Sequence, residues 1–149
     1  MKADEFEAYR SRIVTDYAAA HVDAGDSSPD RAQGLAAEET ESLLPEGADT
    51  QGMLLLTAES LKDGIVGLAW GALEHGEKRG AWIYDIENLA GQRGKGYGRA
   101  LLHALEQLVL EHGVESIGLN VFAGNNFARK LYESTGYEAT SIQMRKALE

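Results

Sequence analysis

The chain is 149 residues long, 44% hydrophobic and 26% charged, proportions that fit one soluble globular domain with room for a real core. It carries no cysteine, so disulfides, a thiol nucleophile and a cysteine-based zinc site are excluded. A formal net charge of -10 argues against nucleic acid as a partner, because a phosphate backbone demands a basic surface. The same charge favours solubility and suits a cationic ligand.

The opening, Met1-Lys2-Ala3-Asp4-Glu5-Phe6, places acid where a signal peptide would be apolar, and no apolar run is long enough to span a membrane. A cytoplasmic protein with no membrane partner is expected. Phe6, Tyr9, Ile13, Tyr17 and Ala20 recur at helical spacing, giving an amphipathic helix that ends near Gly25. Ser28-Pro29-Asp30 reads as cap, first-turn proline and first-turn acid of a second helix, which runs to about Leu43 and stops before Pro45 and Gly47.

Strand patterning follows. Met53–Thr57 and Ile65–Trp70 flank the turn signal Asp63-Gly64, and Gly76 to Gly80 forms a polar turn. Ala81–Glu87 is a third strand with Asp85 and Glu87 at its end. A glycine-rich loop, Gln92-Arg93-Gly94-Lys95-Gly96-Tyr97-Gly98-Arg99, then opens a helix with Ala100, Leu101, Ala104, Leu105, Leu108 and Val109 on one face, stopped at Glu111-His112-Gly113. Ser116–Phe122 reads as a strand. Asn125 or Asn126 caps a short helix through Ala128, Leu131 and Tyr132 that Gly136 closes. Thr140–Arg145 alternates as a last strand. The whole reads as one domain, 1–149, of mixed α/β class.

The loop is the strongest chemical signal. Glycines let a ligand approach the backbone, the first N–H groups of a helix carry its positive dipole end, and Arg93, Lys95 and Arg99 add full charge. That is a seat for a phosphate or pyrophosphate. No Gly-Lys is followed by Ser or Thr, which excludes a Walker-type loop. Gly98 falls one residue early for a dinucleotide fingerprint, and the loop follows an antiparallel hairpin.

Arg93-Gly94-Lys95-Gly96-Tyr97-Gly98 instead matches the Arg/Gln-x-x-Gly-x-Gly/Ala signature of the GNAT N-acetyltransferase superfamily. Leu119-Asn120-Val121, then Asn125, Ala128, Leu131-Tyr132-Glu133 and Gly136-Tyr137, resembles its second signature. The resemblance implies a three-layer fold with a central, mostly antiparallel mixed sheet flanked by helices. The family's opening strand is absent, because the first residues read as helix. Asn88 stands where an aliphatic residue is usual, and the end has room for one strand where the family often has two, which leaves a homodimer open.

The same resemblance implies acetyl-CoA as co-substrate and an amine as acceptor. The pyrophosphate would lie on the N–H groups from Arg93 to Arg99, Gly94, Lys95, Gly96, Tyr97 and Gly98 included. The pantetheine arm would pair with Ile86, Glu87 and Asn88, and Asn125 and Ala128 would border it. Tyr132 matches the family's acid for the departing sulfur. Asp85 and Glu87, two apart and on one strand face, are candidate bases, although a water chain serves in many members. Asn120 reads as a satisfied mid-strand amide. His21, His75, His103 and His112 show no metal-ligand spacing, so no metal is expected. Trp70, Trp82 and Tyr84 read mostly as core, with Tyr17 and Leu35 placed to edge an acceptor pocket. The contrasting reading is a non-catalytic acyl-CoA-binding or regulatory module.

Overall fold

The computed structural model describes residues 1–74 and 80–149. His75 and the polar turn from Gly76 lie outside the described residues, Gly80 excepted. Two helices come first: α1, Ala3–Asp23, and α2, Pro29–Leu43, the latter with proline in its first turn. A single 3-10 turn at Gly47–Asp49 leads into β1, Met53–Ser60, which pairs antiparallel with β2, Gly64–Ala72. Then come β3, Ala81–Asn88, α3, Tyr97–Glu111, β4, Ile117–Leu119, and α4, Asn126–Ser134. The sheet runs β1-β2-β3-β4, antiparallel except for a parallel β3–β4 pair, and it begins without an opening strand, as the sequence indicated.

The sheet separates two cores. On one face Phe6, Tyr9 and Ile13 of α1 pack with Leu55, Leu68 and Trp70, while Val14 and Ala18 pack on Ala32 and Ala36 of α2. On the other face Leu102 and Leu105 of α3 pack on Ile83, with Leu54, Leu56 and Ile86 around them. The buried stripe of α3 is Leu101, Leu102, Leu105 and Val109; Ala100 and Ala104, assigned to that stripe from the sequence, face outwards.

One irregularity positions the site. The β2–β3 register passes from Trp70–Asp85 to Gly71–Ile83, so Tyr84 is an extra residue on β3. Tyr84 and Asp85 both meet the α1 side, where Tyr84 stacks on Trp70 at 4.5 Å and Asp85 meets Tyr9. Ile83 and Ile86, three apart, share the α3 side.

Gly67 on β2 pairs with Asn88 at the end of β3. A Cβ built there would lie 2.8 Å from the Glu87 carbonyl oxygen and 3.0 Å from Leu101 Cδ2. Backbone cannot yield as a side chain can. Gly67→Ala is therefore expected to destabilise the fold by roughly 1–3 kcal/mol, as overpacking does, measured as a lower midpoint in urea with an unchanged slope.

Two strand expectations fail. β4 stops at Leu119, so Asn120 is an exposed loop residue and not a mid-strand amide. Residues 140–145 form no ladder, and 138–149 are exposed throughout. Alternation states that a segment suits a strand; it supplies no neighbouring edge, and residues 140–145 pair with none among the described residues.

Candidate active site

The glycine loop takes the geometry its sequence calls for. Gly91, Gly94 and Gly96 have φ of +84°, +78° and +82°, a region that side chains disfavour, and Gly96 is the residue before the first turn of α3. Tyr97 Oη donates to Asp63 Oδ2 at 2.5 Å and sits 3.1 Å from Ser60 Oγ, while Lys95 Nζ lies 3.7 Å from the same Asp63 oxygen and donates to Gln92 Oε1 at 3.1 Å. The β1–β2 turn thus pins the loop. Asp63 had shown only a turn signal in the sequence. Arg99 donates to Ser134 Oγ at 3.0 Å, tying α3 to α4. Arg93 has no ion-pair partner among the described residues and is exposed. Beside the loop, a groove of about 490 Å³ runs between α3 and the end of α4, lined by Gly96, Arg99, His103, Glu106 and Thr135.

β3 and β4 part company above the site. Their parallel pairing covers Ala81–Ile117, Trp82–Gly118 and Ile83–Leu119, and then ends. β3 continues through Asn88 along β2, so Ile86, Glu87 and Asn88 have a ladder on one side and an open edge on the other. The Asn88 side chain is wedged at the start of α3, where a Cβ on Gly98 would lie 3.0 Å from Asn88 Nδ2. Asn88 Oδ1 is buried with no hydrogen-bond partner among the described residues, an uncompensated polar group that a close-lying donor could satisfy.

The two carboxylates at the end of β3 differ in surroundings. Asp85 is partly buried and accepts a hydrogen bond from Tyr9 Oη at 2.8 Å. Burial pushes its pKa up to about 6; the Tyr9 hydrogen bond and Arg12 pull down, and Glu87 and Asp16 push up. Glu87 is held by Arg12, whose Nε lies 3.2 Å from Oε2. The Arg12 guanidinium also sits 5.7 Å from the Tyr9 ring centre, and its Nη2 is buried without a hydrogen bond. Tyr9 and Arg12 were legible only as helix-face residues, since nothing local marks which strand they will meet.

Tyr132 sits on α4, whose start Asn125 caps by accepting from the Ala128 N–H at 3.2 Å. Its ring meets Tyr137 edge-on at 5.6 Å and packs against the Leu102–Leu105 core. The hydroxyl has no hydrogen-bond partner among the described residues, and burial, aided by the charge of Asp85, pushes its pKa up to about 12. Acid candidate and carboxylate therefore share one electrostatic neighbourhood. Tyr137 donates instead to Glu106 at 2.9 Å.

On the α1 side, Tyr17 Oη donates to the Tyr84 carbonyl at 3.1 Å, and burial raises the pKa of both tyrosines, with the Glu39 charge adding to it. Leu35 is exposed. His103 and His112 are surface residues. No group of histidine and acidic side chains among the described residues could hold a metal, and none of the helices described is long and apolar enough to cross a membrane.

The sequence profile of the acetyltransferase (GNAT) family matches residues 16–137. The chain is 37% identical to YycN of Bacillus subtilis, described as an uncharacterized N-acetyltransferase, over 99% of this chain and 96% of that one. It is 31% identical to a second such protein of the same organism, YdgE, over 99% and 95%. The crystal structure of YycN superposes with a TM-score of 0.94, covering 100% of this chain and 96% of the other.

Proposed function

The chain belongs to the GNAT acetyltransferase family and is an acyltransferase, and from that premise we propose that it moves an acetyl group from acetyl-CoA to a primary amine by direct transfer in a ternary complex. One observation carries the reading of the donor side: β3 and β4 part after Ile83 and Leu119, which leaves the edge at Ile86, Glu87 and Asn88 open beside the glycine loop. A slot between splayed strands suits the pantetheine arm, whose amides can continue the ladder. The N–H groups from Arg93 to Arg99 suit the pyrophosphate, with the dipole of α3 behind them.

The chemistry then divides among few groups. An acceptor amine arrives as an ammonium and loses a proton to Asp85, directly or through water. The freed nitrogen lone pair forms a bond to the acetyl carbon, and a β3 backbone N–H stabilises the oxyanion. The carbon–sulfur bond breaks with its electrons on sulfur, and Tyr132 donates to that thiolate. The nitrogen sheds its second proton, which ends on sulfur, and Asp85 returns the first to solvent, so the products are an amide, a thiol and a released proton. Asp85 suits the base because its raised pKa lies near working pH. Glu87, neutralised by Arg12, suits orienting that helix against β3. The charges of Asp85 and Glu39 act on Tyr17, and that of Glu39 on Tyr84, a setting that favours a cationic acceptor.

The test is an acceptor screen with acetyl-CoA, read as free thiol. Turnover with an amine is expected. CoA binding without turnover across small amines, peptide N-termini and aminoglycosides would return the chain to a binding module. The donor seat has its own check. Arg93→Ala is expected to weaken CoA binding by roughly tenfold, as loss of one charge-assisted phosphate contact does, with thermal stability unchanged because Arg93 is exposed and has no ion-pair partner among the described residues. Calorimetric titration with CoA measures it; unchanged affinity would move the pyrophosphate elsewhere.

A further inference from the structure

The glycine loop has little backbone support of its own. Gly91, Gly94 and Gly96 take left-handed φ, and the N–H groups of residues 93–96 donate to no backbone carbonyl among the described residues. Its fixed points come from the turn between β1 and β2. Tyr97 Oη donates to Asp63 Oδ2 at 2.5 Å, across 34 residues of chain, and lies 3.1 Å from Ser60 Oγ. That serine oxygen accepts the N–H groups of Lys62 and Asp63, at 3.2 and 3.4 Å, and so fixes the turn on which the carboxylate sits. The same Asp63 oxygen lies 3.7 Å from Lys95 Nζ, which donates to Gln92 Oε1 at 3.1 Å. The Asp63 side chain is 19% exposed and that of Lys95 46%. The carboxylate is therefore the fixed member of the pair, and the ammonium is the one with room to swing.

An acid facing a phosphate seat is out of place if charge alone decides. It repels the anion and occupies Lys95, one of the cations that Arg93, Lys95 and Arg99 bring to the loop. The hydrogen bond from Tyr97 supplies the reason for it. We propose that Asp63 is the positioning residue of the donor seat: through Tyr97 it anchors the loop, and it holds Lys95 until the donor binds, when Lys95 passes to the pyrophosphate. The inference rests on the reading of the glycine loop as the seat of the CoA pyrophosphate. Its two effects on affinity are opposed. A loop ordered in advance lowers the entropy lost on binding. A held Lys95 weakens binding, since an ion pair must break before the ammonium reaches phosphate. Lysine suits that exchange, because its ammonium is a point charge on a flexible stem, whereas a guanidinium grips a carboxylate with two parallel bonds. The product CoA carries the same pyrophosphate, so the return of Lys95 to Asp63 also assists release.

Calorimetric titration with CoA separates the two effects. Tyr97→Phe removes the anchor and should weaken binding by about tenfold, as loss of a hydrogen bond to a charged group does. Asp63→Asn keeps an acceptor for Tyr97 and removes the hold on Lys95. It should tighten binding by about threefold, the scale of a partly screened ion pair. In a Lys95→Gln background the same Asp63→Asn change should leave affinity within about twofold. With acetyl-CoA the changes should fall on KM and not on kcat. Weaker binding in both Tyr97→Phe and Asp63→Asn would reduce Asp63 to a structural brace and overturn the proposal, as would unchanged affinity in Tyr97→Phe. Equal tightening with and without Lys95 would show plain repulsion and overturn the exchange. A parent chain that binds no CoA would overturn the seat itself, a result distinct from all of these. Should Tyr97→Phe fail to fold, amide hydrogen exchange tests the anchor without it. The N–H groups of residues 93–97 should exchange faster in Asp63→Ala than in the parent, and at the parent rate in Asp63→Asn. Equal exchange in all three overturns the anchor.

Discussion

Tyr132→Phe is expected to lower kcat for acetyl transfer by about 10²-fold, the lower range for loss of a positioned acid, while CoA affinity stays within about twofold. The phenol makes no hydrogen bond in the fold among the described residues, so its removal breaks nothing that holds the domain together. Magnitudes also shape its role. A phenol pushed up to about 12 is a weaker acid than a thiol, so full proton transfer from tyrosine to sulfur is uphill if taken as an isolated equilibrium. Donation of a hydrogen bond as charge builds on sulfur avoids that cost, and the proton from the former ammonium completes the thiol. Steady-state kinetics with a fixed acceptor, beside calorimetric titration of CoA, check the prediction. Normal turnover by the variant would remove Tyr132 from the reaction.

Asp85→Asn should act on stability and activity in opposite directions. The Asp85 pKa rises from 3.8 to about 6 on folding, chiefly through burial. A raised carboxyl pKa means the folded state binds the proton more tightly than the unfolded one. The parent protein therefore loses stability from this group as pH rises from about 4 to 6, and the loss is complete above that window. Asparagine keeps the acceptor for Tyr9 Oη without the charge. At pH 7 the variant should be more stable by up to about 3 kcal/mol, two pKa units at 1.36 each, and the difference should vanish below pH 4. Urea midpoints at the two pH values measure it. With the base gone, kcat/KM should fall by about 10²-fold or more, and the rise of the parent's kcat/KM with pH through about 6 should disappear. A profile that kept that rise in the variant would assign the proton to water or to another group. The pairing of lost activity with gained stability is what a buried working carboxylate entails.

Much of the backbone geometry around the glycine loop and the helix ends could be read along the chain because its determinants are local. Gly94 and Gly96 adopt the left-handed backbone that only glycine takes cheaply, Pro29 opens a helix, and Asn125 caps one; each is settled within four residues of itself. Asp85 and Glu87 share a face, as strand period requires. What lay beyond reach was partnership. Nothing near Tyr9 or Arg12 announces that they will meet Asp85 and Glu87, 76 and 75 residues further on, or that Asp63 will hold Lys95 and Tyr97.

The same division separates the readings that failed. Residues 140–145 have strand alternation and no ladder, and Asn120 lies past the end of β4, because a strand exists only where a second backbone offers its hydrogen bonds. The extra residue at Tyr84 is likewise invisible in the sequence, since strand period is uniform until a partner's register breaks it. The sequence by itself determined the helices, the first three strands, the glycine loop and the residue types at the site, through backbone sterics and side-chain period. Tertiary structure alone decided that Glu87 is paired with Arg12 while burial raises the pKa of Asp85, and that the Tyr132 hydroxyl, without a hydrogen bond among the described residues, feels the Asp85 charge, because burial and Coulomb interaction depend on distances across the fold and not along the chain.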